Sequence, residues 1–248
     1  MDGRLLPVFL IALIGAPAVA AAPARLSPVL PEVTKHLQEG FADVVNNTPV
    51  MARAEAQLIL LDNQVKYSVS FENVPEKQRA QCMTCLRSAM AEWEHDLDGT
   101  IQFSQVPSVS GKTTGTSARE PAEVTVRFRP SVTMKKEQVA GYVNWSRTLN
   151  ASEDGTVSAK FSADLQIRVK DLDGRRMPPE AMRHAAMHEL GHVLGLDDSP
   201  TEGDVMGPLD IENPVSAPTN LEIQTVKSLR SQANEILDKL VPNPKKQP

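Results

Sequence analysis

Ala185-Ala186-Met187-His188-Glu189-Leu190-Gly191-His192-Val193-Leu194-Gly195-Leu196-Asp197-Asp198 is the stretch whose reading decides the rest of the chain. Histidines four residues apart on an α-helix lie on one face, one turn above the other, so His188 and His192 can point their imidazoles at a single ion. Glu189 sits beside that pair and is not needed as a ligand, which leaves its carboxylate free to hold a water. Gly195 is placed to end the helix, because glycine takes the left-handed exit conformation without steric cost. Three residues later Asp198 comes within reach as a third ligand, and a fourth position stays open, as a catalytic zinc site requires.

Working outward, Pro178-Pro179-Glu180 starts this helix, with proline in the first turn and an acid at the positive end of the dipole. The helix is predicted from about Pro179 to Leu194, with Met182, Ala186, Leu190, Val193 and Leu194 facing the core. His184 extends the histidine row by one turn, about 6 Å along the axis from His188, too far to share the ion. Val205-Met206-Gly207-Pro208 is a turn around a buried methionine.

The pattern resembles the metzincin metallopeptidases. Their His-Glu-x-x-His-x-x-Gly-x-x-His/Asp sequence and methionine turn are matched by His188, Glu189, His192, Gly195, Asp198 and Met206. The aspartate variant is the less common one and is similar to the matrixin and snapalysin-like members. The resemblance implies an α+β, metzincin-like domain: a twisted mixed sheet, a long backing helix, the active-site helix and a C-terminal helix. It also implies one catalytic Zn2+ on His188, His192 and Asp198, with Glu189 as general base in peptide-bond hydrolysis, and a protein or peptide substrate. A tyrosine that follows the methionine turn in some family enzymes has no counterpart here, since the only tyrosines are Tyr67 and Tyr142. Two other third ligands stay open: Asp197, and Glu212, whose spacing from His192 resembles that of thermolysin-like peptidases but whose neighbour Pro214 disfavours a helix. The alternative function is an exported binding or inhibitory module that keeps the fold without turnover.

Around this centre the chain reads as four parts. Residues 1–20, with Arg4, an apolar run from Leu5 to Gly15 and Ala18-Val19-Ala20, fit a secretory signal, so a secreted or periplasmic protein without stable membrane association is expected. Residues 21–62 carry an amphipathic helix over roughly Glu32 to Val45 and are either a propeptide or a permanently packed element. They contain no cysteine, which excludes the thiol latch of matrix-type propeptides. Residues 63–241 are the peptidase domain, and residues 242–248 read as a disordered tail.

Within that domain, Val65 to Phe71 and Glu123 to Phe128 alternate as half-buried strands, and Ile101 to Val106 is another strand. A long helix from Pro75 and Glu76 to about Leu97 presents Ala80, Met83, Cys85 or Leu86, Met90 and Trp93 inward. Ser108 to Pro121 is a loop, and Gly141 to Trp145 a short apolar segment. By resemblance, Phe161 to Val169 is the edge strand above the cleft, where an extended peptide would add by strand pairing. Thr219 to Glu222 has capping-box spacing ahead of a closing amphipathic helix. Cys82 and Cys85 lack the preceding strand of a thioredoxin-like site, which makes a redox role unfavoured. The net charge of −5, with no long basic block, makes nucleic acid an unexpected partner.

Overall fold

A computed structural model describes residues 26–61, 63–107, 122–152 and 156–241. The proposed signal at 1–20, the loop at 108–121 and the tail at 242–248 lie outside them. Five helices and seven strands follow in the order α1 (Pro31–Val45), α2 (Pro49–Leu60), β1 (Gln64–Phe71), α3 (Glu76–Asp96), β2 (Gln102–Gln105), β3 (Val124–Arg129), β4 (Val132–Met134), β5 (Glu137–Val139), β6 (Gly141–Ala151), β7 (Val157–Arg168), α4 (Pro179–Val193) and α5 (Asn220–Leu240). This is an α+β fold.

The main sheet has the order β2-β1-β3-β7-β6. β1 pairs parallel with β2 and β3, and β3 parallel with β7; β6 alone runs antiparallel. The expected edge strand is therefore corrected. Phe161 to Arg168 falls in β7, which is hydrogen-bonded to β3 on one side and β6 on the other, so the edge strand on this side is β6. Its sequence explains the misreading, because β6 interrupts its apolar residues with Asn144, Ser146, Arg147 and Thr148, and only Val143 and Arg147 are buried. A strand with one solvated face and one solvated edge carries little hydrophobic signal.

On the core side, Val124, Val126 and Phe128 of β3 and Leu165 and Ile167 of β7 are fully buried, each worth about 1.5–3 kcal/mol on removal from water. They meet α3 and α4. The inward stripe of α3 is Cys82, Cys85, Leu86, Ala89, Met90 and Trp93; the predicted Ala80 is exposed and Met83 half-buried. The stripe begins at Cys82, two residues later than expected, and the Cys85 thiol donates to Pro179 O (3.3 Å) at the start of α4. Trp93 Nε1–H donates to Met187 O (3.0 Å), tying the backing helix to the helix of the histidines.

Helix α2, not expected from the apolar periodicity, is an alanine-rich segment with proline at its start. Its Ala52, Ala56 and Ile59 form a second cluster with Leu30, Val33 and Leu37 from the N-terminal side and Leu229, Ala233 and Ile236 of α5. Residues 26–61 thus share a core with the last helix. Their backbone is also stitched to the helix exit: Leu30 N–H donates to Gly195 O (3.0 Å) and Asp197 N–H to Pro28 O (2.9 Å).

Candidate metal centre

Helix α4 ends at Val193 and Gly195 has φ +104°, so the sharp exit falls where the glycine stands. That turn returns the chain and brings Asp198 over the two histidines. Asp198 Oδ1 lies 3.2 Å from His188 Nε2 and 3.4 Å from His192 Nε2. A tetrahedron with metal–ligand bonds of about 2.0–2.1 Å has edges of about 3.3 Å, so these separations fit one zinc ion. Nitrogen with oxygen donors suits it as well.

The tautomers follow from the surroundings. His188 Nδ1 faces Val205 O (2.9 Å) and His192 Nδ1 faces Leu196 O (2.9 Å). A carbonyl only accepts, so both Nδ1 atoms carry the proton and both Nε2 lone pairs point into the site. When the imidazoles are protonated, their Nε2–H groups donate to Asp198, and these bonds from His188 and His192 hold its carboxyl well below the usual carboxylate range. For His188, burial pulls the pKa down, but Asp198, Glu189 and the Val205 carbonyl together outweigh it and the net shift is upward.

Glu189 is 5% exposed, and burial pushes its carboxyl up to about 7 against the opposing pull of the histidines. It is not part of the three-residue donor cluster. A Cβ on Gly141 would collide with its carboxylate, so the first residue of β6 is small where the acid needs room. Met206 is fully buried, and a Cβ on Gly191 would strike its sulfur; the methionine turn therefore presses against the helix between the histidines.

Of the other candidate ligands, Asp197 lines the cleft with Oδ1 turned to Asp198 N–H (2.9 Å), and neither it nor Glu212 joins the cluster. His184 is fully bonded instead. Its Nδ1 accepts Val215 N–H (3.1 Å), which requires Nε2 to donate to Val205 O (3.1 Å). Arg183 donates to Ser216 O and to Glu92 (2.6 Å). The first turns of α4 thereby anchor the wall at residues 208–218 as well as the floor.

Several residues that shape the site escaped the sequence reading. Trp145 of β6 stacks on the His192 ring (5.5 Å between centroids, 26°) and donates Nε1–H to Glu32 of α1 (2.7 Å). Arg147 donates to Val193 O (2.8 Å) at the end of α4 and to Leu58 O (3.2 Å) at the end of α2. Glu222 closes the expected capping box with Thr219 and also accepts Met206 N–H (2.7 Å). Only the capping box had a local signal; the other contacts join residues far apart in the chain.

The site opens into a cleft of about 860 Å³ bounded by β6 from Gly141 to Trp145, by His188, Glu189 and His192, and by Gly207 to Leu209. Tyr142 also lines it, although it precedes the methionine turn. Cys82 and Cys85 are buried free thiols away from this cleft.

A family model described as matrixin, of the M10 peptidases, matches residues 60–229. The chain belongs to the matrixin family. Matrixin membership makes it a zinc metallopeptidase acting on protein or peptide substrates. No curated protein sequence matches the chain. Among solved structures it is similar to archaemetzincin from Methanopyrus kandleri, at 11% identity over 69% of this chain and 98% of that one, with a TM-score of 0.43. Among the described residues, no helix of this matrixin is long and apolar enough to cross a membrane.

Proposed function

We propose that this chain is an exported zinc-dependent endopeptidase in which His188, His192 and Asp198 hold one ion and Glu189 is the general base. The observation that carries this reading is the 3.2 and 3.4 Å spacing of the Asp198 oxygen from two imidazole nitrogens whose tautomers aim lone pairs at a common point. When bound, zinc supplies Lewis acidity that lowers the pKa of a water and polarises a peptide carbonyl. Glu189 takes a proton from the attacking water and delivers it to the leaving amine. Its burial favours that shuttle, because a carboxyl near pH 7 both accepts and releases a proton readily. β6 offers the free edge along which an extended peptide adds as a further strand.

Residues 1–20 act as an export signal cleaved after Ala20, and residues 26–61 stay with the enzyme. The shared core with α5 and the bonds to Gly195, Asp197 and Arg147 support permanent packing over a removable propeptide. Chelator-sensitive cleavage of casein, metal content and N-terminal sequencing of the exported protein test the reading together. Glu189→Gln is expected to abolish cleavage while retaining one zinc per chain. Cleavage at the wild-type rate by that variant would refute the general-base role, and a mature N-terminus beyond residue 61 would refute the retained helices.

A further inference from the structure

One charged group in the cleft has no part in the chemistry above and keeps donors that the fold leaves unpaired. Arg168 closes β7 and lines the cleft, yet is only 3% exposed. Its Nε and Nη1 are shielded from solvent and have no hydrogen-bond partner. Asp171, the acid whose charge it feels, turns Oδ1 to Arg175 N–H (2.8 Å) instead. Arg127 pairs with Asp164 (2.6 Å) and Arg129 with Glu72 (3.0 Å), while Arg147 donates to two carbonyls and leaves only Nη1 without a partner. Among the described residues, Arg168 is the only lysine or arginine lining the cleft.

A buried guanidinium with donors left unpaired is an unfavourable arrangement, and it presents a rigid fork that a carboxylate matches with two parallel bonds. The location suits a substrate group. Arg168 N–H donates to Ala140 O (2.9 Å), one residue before β6 begins, and Gly141 packs against Glu189. A peptide laid along the free edge of β6 therefore passes this corner close to the reacting bond. Met134, Gln138 and Leu172, which also line the cleft, are uncharged, and the acids of the lining, Glu189, Asp197 and Asp198, lie at the candidate metal centre and the helix exit beside it.

We propose that Arg168 forms a subsite for a substrate carboxylate, so that the enzyme selects peptides bearing an acidic side chain, or a free chain end, at the position reaching the junction of β5, β6 and β7. This rests on the peptidase reading and adds a determinant of specificity to it.

The test uses the zinc-loaded chain and a neutral, end-blocked peptide that it cleaves, with Glu and then Gln walked through every position, and the same peptide with a free or amidated C-terminus. Wild type is expected to favour Glu over Gln at one position, or the free acid over the amide, by at least about tenfold in kcat/KM, as a bond between charged groups predicts. Arg168→Gln brings that ratio close to one, and Arg168→Lys keeps part of it. Because the guanidinium holds no partner in the fold, Arg168→Met should melt no lower than wild type, whereas a purely structural arginine would lower the melting temperature. The same peptides are titrated by fluorescence anisotropy against Glu189→Gln, which binds without turnover. Discrimination there without cleavage by wild type would remove the peptidase reading and leave the carboxylate subsite standing. A flat scan in both kinetics and binding, or a preference that survives in Arg168→Gln, overturns the proposal.

Discussion

Replacing Arg147 with methionine tests how the N-terminal helices support the metal centre. The guanidinium is buried over the Phe161 ring (5.0 Å) and joins the last carbonyls of α2 and α4, Leu58 O and Val193 O, at 3.2 and 2.8 Å. Two bonds from a charged donor are worth about 3–6 kcal/mol together, and the ring contact about 1 kcal/mol. Against this stands desolvation, which pulls the guanidinium down to about 10. That fall from the ordinary guanidinium range costs roughly 3 kcal/mol. Methionine refills most of the stem volume, so the expected net loss is about 1–4 kcal/mol, or a fall in Tm of roughly 3–15 °C for a chain of this size. Thermal unfolding by circular dichroism with a chelator present measures it. Val193 follows His192 directly, so zinc affinity in a competition assay with a chromophoric chelator should weaken too. A Tm within about 2 °C of wild type, with unchanged zinc affinity, would refute the view that this arginine braces the end of the histidine helix.

Three further outcomes are expected. Gly141→Ala pushes into the Glu189 carboxylate, so kcat should fall on the order of ten- to a hundredfold with zinc still bound, whereas normal turnover would mean that the acid has room to spare. Burial holds the His184 pKa below its ordinary value of about 6.5. The unfolded state therefore takes up a proton first, and stability falls as the pH drops below about 6.5. With a chelator present, His184→Gln should flatten part of that slope between pH 7 and 5, and an unchanged slope would assign it elsewhere. The Cys82 thiol is pushed up to about 11 by burial, so a disulfide-exchange reagent at pH 8 should label neither cysteine in the native protein and both after denaturation; fast native labelling would contradict the packing of α3 on α4.

What the sequence determined by itself is the part written in local spacing. Histidines four apart set one helix face, Gly195 set the exit, and Thr219 with Glu222 set the start of α5; each follows from the geometry of a single turn, and each is found in the structure. The alternation of β3 and β7 was equally legible, because one face of each strand enters the core. The tertiary structure alone decided that β6 is the edge, since strand order depends on partners and β6 buries too little to announce itself. It also decided that residues 26–61 brace the metal centre through Glu32, Trp145 and Arg147. These contacts bridge residues from 46 to 113 positions apart, and such contacts leave no periodic trace in the chain. Local chemistry therefore pointed to the candidate ligands, while long-range packing chose the groups that surround them, because a hydrogen bond between distant segments exists only after the core has brought those segments together.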